Sequence, residues 1–174
     1  LRRQRQMCIR DSKYPLSELI VHPRIQKEFY KGVPHRDAWA AVSGPWPAVY
    51  NGDIFTPKDA AALCQDYPGT DAAMLGRGLM RDPALLRRLR GGPAASAQEL
   101  RTYHDRLLEA YRQRLSGDQP VMHRMWELWA YLSAGFTRPE PYLKRMRKAK
   151  NLPEYRAAVD ALFRELSLIH ISEP

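Results

Sequence analysis

Just beyond the Asn51-Gly52 pair the chain reads Thr56-Pro57-Lys58-Asp59, and that tetrad excludes the fold Asn-Gly most often announces. Asn-Gly between apolar runs is the strongest short signal for a two-residue hairpin, which needs a second strand directly after the turn. Here Thr stands at an N-cap position, Pro at the first helical position and an acid at the third, a near capping box that starts a helix. "PAVYNGDI" is therefore an apolar run with a polar end, followed by the helix "KDAAALCQDY", which Pro68-Gly69 stops. The same grammar precedes and follows it. "LSELIVHPR" ends on His22 and Arg24, and the helical "DAWAAVSG" over 37–44 closes on Gly44, a C-cap residue. "TDAAMLGRGL" ends in glycines, and Asp82-Pro83 opens "PALLRRLR", which Gly91-Gly92-Pro93 terminates. Strand, loop and helix thus recur three times at a spacing of about 25–30 residues, the size of a βα unit. Strands alternating with helices imply α/β architecture with a parallel sheet, either a barrel or a doubly wound sheet.

After Pro93 the pattern changes. Leu100, Tyr103, Leu107, Leu108, Tyr111 and Leu115 recur at helical spacing, and Met122, Met125, Trp126, Trp129 and Leu132 share one broad face. "PEPYLKRMRKAK" and "LPEYRAAVDALFREL" complete about four helices with short connections, an all-α helical bundle over 96–166. The Gly-Gly-Pro stretch marks the boundary between this part and residues 13–92.

At 174 residues and 44% hydrophobic, the chain has the composition of a globular protein with room for one medium domain and a helical appendage. No apolar run approaches the ~18 residues that span a bilayer, so no membrane partner is expected. The formal charge is +9, spread as +3 over residues 13–95 and +4 over 96–166, with a further surplus at the N-terminal end. Such a surplus favours polyanions but also serves ordinary solubility. Cys8 and Cys64 show neither metal-ligand spacing nor a CxxC pair, so neither a metal site nor a disulfide framework is expected, and a reducing cytoplasm fits.

The two ends do not continue their neighbours' patterns. "LRRQRQMCIRDS" has the arginines of a transit peptide without its apolar helical face, and a basic nucleic-acid-binding arm is a second reading. The favoured reading is that 1–12 and 167–174 are non-native, because "MCIRDS" and "SLIHISEP" look like translated sequencing-linker sequence. Cys8 then carries no meaning, and the native sequence is expected to extend upstream of Lys13.

In parallel α/β folds, ligands sit at the C-terminal ends of the strands. Three polar clusters fall there: His22-Pro23-Arg24, Asn51-Gly52-Asp53 and Gly76-Arg77-Gly78. Glycines let backbone N–H groups approach an anion, and a guanidinium neutralises it. Each cluster alone also reads as a turn or a hydrogen-bonded structural residue; three in order favour a cofactor-phosphate site.

Together, "ELIVHPR", "YNGDIFTPKDA" and "DAAMLGRGLMRDP" resemble the C-terminal half of tRNA-dihydrouridine synthases. The resemblance covers nearly everything from Lys13 to Leu166. It implies the last three βα units of a TIM (β/α)8 barrel followed by a helical tRNA-binding domain. It implies FMN as cofactor, with NADPH as reductant and a tRNA uridine as substrate, in a cytoplasmic enzyme that is monomeric at full length. By the same likeness His22, Asn51, Gly52 and Asp53 line the flavin site, Gly76 and Arg77 hold its phosphate, and Arg24 lies near the flavin, facing RNA. The family's proton-donating cysteine and a flavin-contacting lysine belong upstream of Lys13, so no catalytic residue is expected in this chain and the piece is expected to be inactive alone. Cys64, in mid-helix, is read as a packing residue.

In the helical part, "KRMRKAK" is either a solvated face or a phosphate contact, and the resemblance favours RNA contact by Lys144, Arg145, Arg147 and Lys148. Trp126 and Trp129 are read as core residues, with base stacking as the alternative. His104 and His123 are read as structural. Two rivals stay open: another FMN barrel oxidoreductase acting on a small molecule, and a non-catalytic RNA-binding fragment.

Overall fold

A computed structural model of the chain describes residues 16–28, 32–42 and 46–165. The terminal segments read as non-native, Cys8 and the Gly44 cap lie outside the described residues. The chain divides into two compact units, 1–76 and 77–174.

In the first unit the apolar runs form three short parallel strands, β1 (Leu19–Val21), β2 (Ala48–Tyr50) and β3 (Ala72–Ala73), in the order β1-β2-β3. Leu19, Ile20 and Val21 face Ala48, Val49 and Tyr50, while Val49 and Tyr50 face Ala72 and Ala73. Backbone bonds carry the pairing past the strand ends, from Asn51 N–H to the Val21 carbonyl (2.9 Å) and from Met74 N–H to the Tyr50 carbonyl (2.8 Å). Parallel neighbours need a crossover, which helices α1 (Arg36–Ala40) and α2 (Pro57–Asp66) provide. The capping box of α2 is complete. Thr56 Oγ1 accepts the Asp59 N–H at 3.2 Å, and Asp59 Oδ2 accepts the Thr56 and Phe55 N–H groups at 2.8 and 2.9 Å.

Trp39, Tyr50, Ile54 and Leu63 form this unit's core, with the Trp39 and Tyr50 rings edge to face at 5.4 Å. Trp39 Nε1 donates to Thr70 Oγ1 at 2.8 Å, so the indole's polar end is satisfied inside the core. Cys64 corrects the packing expectation: it is exposed. The apolar stripe of α2 runs through Ala60, Leu63 and Tyr67, and one residue beyond Leu63 is a 100° rotation off that stripe. Parallel strands are ordinarily covered on both faces, yet Ile20, Ala72, Ala73 and Met74 are exposed.

The second unit is helical. Arg77, expected in a loop, opens α3 (Arg77–Arg81), which places Gly78 in a helix and buries it. Ahead of α4 (Leu85–Leu89), Asp82 braces the turn that leads into the helix. Its Oδ1 accepts the Ala84 N–H (2.9 Å) and its Oδ2 the Arg88 guanidinium (2.9 Å), both side chains being almost fully buried. Arg87 then ties down the glycine-rich connection. It donates to the Pro93 and Ala94 carbonyls at 3.0 and 3.1 Å and forks onto Glu99 at 2.7 and 3.1 Å. That fork, with the capping box between Ser96 and Glu99, holds the Glu99 carboxyl down to a pKa of about 2.

Four longer helices follow: α5 (Ala97–Arg114), α6 (Asp118–Leu132), α7 (Glu140–Lys148) and α8 (Leu152–Glu165). They share one apolar core containing Leu108, Met125, Trp129, Leu132, Val159 and Leu162. α3 also packs on α6. Among the described residues no helix is long and apolar enough to cross a membrane.

A polar chain crosses this core. Trp129 Nε1 donates to Tyr155 Oη at 2.8 Å, Tyr155 Oη bonds His104 Nε2 at 2.8 Å, and His104 Nδ1 bonds Asp105 Oδ1 at 2.8 Å. Tyr155 Oη already accepts from the indole, so its proton goes to His104 Nε2, which assigns the neutral imidazole with hydrogen on Nδ1. Protonating Nε2 would set two donors against one hydroxyl. Burial lowers the His104 pKa, opposed by Asp105 and reinforced by Arg101 and Arg156. The unfolded chain takes up this proton near pH 6.5 and the folded chain does not, so stability present above about pH 6.5 is lost as pH falls, by up to ~1.4 kcal/mol per pH unit. Thermal melts of the chain should therefore show the second unit losing stability from pH 7 to pH 5, and His104→Asn should flatten that dependence while lowering stability at pH 7.

Candidate functional site

The C-terminal ends of β1 and β2 bring four of the expected residues together. After β1 the chain turns sharply at the buried Pro23, where Arg24 N–H bonds the His22 carbonyl at 2.8 Å, a three-residue turn. That turn lets both flanking side chains reach the neighbouring loop. His22 Nδ1 donates to the Asn51 carbonyl, and the Arg24 guanidinium donates to Asp53 Oδ2. Each contact spans 29 residues, the same offset that pairs Val21 with Tyr50. The first two polar clusters are thus register partners of one another.

Arg24 is enclosed: its side chain is 2% exposed, against 23% for Asp53. Its second terminal nitrogen donates to the Gly32 carbonyl at 2.7 Å, and its Nε is buried without a partner among the described residues. Two further contacts join described residues after β1. His35 N–H bonds the Pro23 carbonyl at 2.7 Å, and His35 Nε2 sits 3.0 Å from the Glu28 carboxylate, which holds the Glu28 pKa below its ordinary value.

Gly52 has a steric reason to be glycine. The Tyr50 ring folds under the loop so closely that a Cβ on Gly52 would overlap it. Tyr50 is fully buried, and that burial pushes its hydroxyl pKa up, with Arg36 pulling against it. Two groups on this loop have no hydrogen-bond partner among the described residues, the Asn51 carboxamide and the Gly52 N–H.

The third cluster is split. Gly76 follows β3 in the first unit, exposed and with open space where a Cβ would sit, whereas Arg77 is the first residue of α3 in the second. Among the described residues no group of three metal-ligating side chains occurs.

In the second unit, α7 turns Met146 into the core with Leu143 and Tyr142 packed beside it, which leaves Lys144, Arg145, Arg147 and Lys148 outward. The Arg147 guanidinium lies 5.6 Å above the Trp126 ring, so Trp126 is a half-buried platform at the edge of the core, while Trp129 is fully buried within it. His104 is buried and His123 is exposed.

Sequence reasoning missed the pairing of Arg24 with Asp53 and the role of Tyr50 beneath Gly52. The equal 29-residue spacings, His22 to Asn51 and Arg24 to Asp53, were the available signal for the first. Nothing local signals the second.

The sequence matches the model of the dihydrouridine synthase (Dus) family over residues 13–167. It is 29% identical to the tRNA-dihydrouridine(16) synthase of Cupriavidus necator over 153 residues, covering 79% of this chain and 47% of that protein. The tRNA-dihydrouridine(16) synthase of Ralstonia nicotianae shares 36% identity over 77 residues, 43% of this chain and 23% of the relative. The tRNA-dihydrouridine synthase B of Shewanella oneidensis shares 37% over 76 residues, 42% and 23% respectively. The chain thus spans about half the length, or less, of the curated relatives it matches.

Because the Tyr50 ring occupies the space beside Gly52, Gly52→Ala should destabilise the first unit by about 1–3 kcal/mol, the usual cost of overpacking. Urea denaturation followed by tryptophan fluorescence checks this, and a variant as stable as the parent would show that the ring and loop move apart freely.

Proposed function

The chain belongs to the dihydrouridine synthase family, and from that premise we propose that it forms the C-terminal portion of a flavin-dependent enzyme that reduces the 5,6 double bond of a uridine in tRNA. The observation that carries the reading is the ordered set of strand-end clusters, two of them locked together in register, inside a match running over 13–167. The three parallel strands are the last three of a (β/α)8 barrel on this reading, and the helices after them form a tRNA-binding domain.

The residues present suit FMN. A flavin needs hydrogen-bonding groups along its pyrimidine edge and a cradle for its phosphate, and the Asn51 carboxamide and Gly52 N–H are donors still open on a braced loop. Gly76 leaves its backbone open to close approach by an anion, and Arg77 carries the cation assigned to the phosphate. His22 and Asp53 complete the set by fixing the loop's main chain and its far end. When bound, FMN supplies hydride transfer between NADPH and the uracil ring.

RNA is assigned to the outward face of α7. Four cations on a nine-residue helix, none in an ion pair among the described residues, suit a phosphate backbone. Arg147 over Trp126 adds an aromatic surface beside them. A flavoenzyme acting on a small molecule has no use for such a face. The enzyme is assigned to the cytoplasm, where its RNA substrate resides.

Binding of bulk tRNA to the chain, measured by fluorescence anisotropy across a salt series, tests the proposal. Affinity should fall steeply with salt. Joint replacement of Lys144, Arg145, Arg147 and Lys148 by Gln should flatten the log–log slope by about 0.9 for each phosphate the helix then fails to neutralise. Binding that ignores salt, or a quadruple variant that binds like the parent, would sink the assignment of this face.

A further inference from the structure

Arg24, His22 and Asp53 stand among the residues assigned to ligands, but their geometry gives them a different task. We infer that Arg24 is a positioning residue, which locks the Asn51-Gly52-Asp53 loop from inside the fold and does not meet RNA. The inference rests on the reading of that loop as a cofactor site only for what the loop holds; the lock itself stands on contacts within the first unit.

Three observations support it. First, the Arg24 side chain is 2% exposed, so its charge is not available to a phosphate at the surface. Second, both terminal nitrogens are committed, one to the Asp53 carboxylate and one to the Gly32 carbonyl, which joins the start and the far side of the β1 loop to the end of the β2 loop. A planar fork makes two divergent bonds of this kind, and a lysine ammonium on a flexible stem does not reproduce them. Third, the contact repeats the strand register. Val21 pairs with Tyr50, His22 with the Asn51 carbonyl, and Arg24 with Asp53, so side chains continue the parallel pairing after the backbone ladder has ended.

The consequence is a division of labour within the motif. The Asp53 carboxylate and the Asn51 carbonyl are taken up by Arg24 and His22. Left without a partner on the loop, among the described residues, are the Asn51 carboxamide and the Gly52 N–H, one acceptor and a set of neutral donors. Such groups read an uncharged imide or lactam edge, and the Asp53 carboxylate does not compete with it because Arg24 neutralises its charge.

Amide hydrogen exchange and 15N spectra of the full 174-residue chain test this, with tRNA binding as the counter-readout. Arg24→Gln should speed exchange at Asn51 and shift the amide resonances of residues 51–53, with exchange faster by at least ~10-fold, the sign of a missing brace worth about 1.4 kcal/mol. Asp53→Asn should do the same while preserving the side chain's shape, and it serves if Arg24→Gln does not fold. The double variant should be affected less than the sum of the two singles, because each single already removes the shared Arg24–Asp53 bond. Arg24→Lys should restore folding but not the shifts at Gly32. In all of them tRNA affinity and its salt slope should match the parent.

The inference is overturned if Arg24→Gln leaves exchange at the loop unchanged, or if the two single effects simply add. It is equally overturned if Arg24→Gln lowers the tRNA salt slope by about one, which would mark a phosphate contact. Should the parent chain fail to bind tRNA at all, the functional reading falls while the exchange data still decide the role of Arg24.

Discussion

Val21 and Tyr50 are register partners across β1 and β2, and the ligand end of the sheet inherits its arrangement from that pairing. A parallel ladder fixes which residues stand side by side, and a shift of one residue would turn each side chain to the opposite face. With the register set, His22 lies beside Asn51 and Arg24 beside Asp53, and the turn at Pro23 swings both across to the neighbouring loop. The loops are therefore ordered by the sheet beneath them, with polar side chains carrying on where main-chain bonds stop.

Charge buried in this way is held for geometry more than for stability. Removing a guanidinium from water costs several kcal/mol, and its pairing with a carboxylate offsets that only when the contact is well made. Arg24 with Asp53 and Asp82 with Arg88 are both enclosed pairs, and each stands where the chain changes direction. Arg88 and Asp82 fix the entry to α4, while Arg24 and Asp53 fix two loops against each other. A solvated ion pair contributes little to either task, because two exposed side chains are free to take many arrangements.

The cations of α7 follow the opposite rule. Met146 anchors α7 in the core, and the helical period then sends Lys144, Arg145, Arg147 and Lys148 outward. Beneath that surface, Trp129, Tyr155, His104 and Asp105 satisfy one another in a single chain of hydrogen bonds. Such a network fixes the mutual position of α5, α6 and α8 with directional contacts that apolar packing lacks.

Much of this was legible in the sequence. Thr56-Pro57-Lys58-Asp59 announced the start of α2 and ruled out a hairpin, since a capping box is made within four residues of chain. Leu100, Leu108, Met125 and Trp129 declared the core faces of their helices through spacing alone. Cys64 and Arg77 were misjudged for the complementary reason. Whether a helical residue lies on the apolar stripe or just beside it, and whether a glycine-flanked arginine ends a loop or opens a helix, depends on what packs against it. Arg24 shows the limit most clearly. By itself the sequence determined the kinds of element, their order and the polar residues that close each strand, because propensity, capping and periodicity act over a few neighbouring residues. Only the tertiary structure decided that Arg24 turns inward to Asp53 and leaves the Asn51 carboxamide unengaged among the described residues, because that choice is made between segments 29 residues apart, brought together by the sheet.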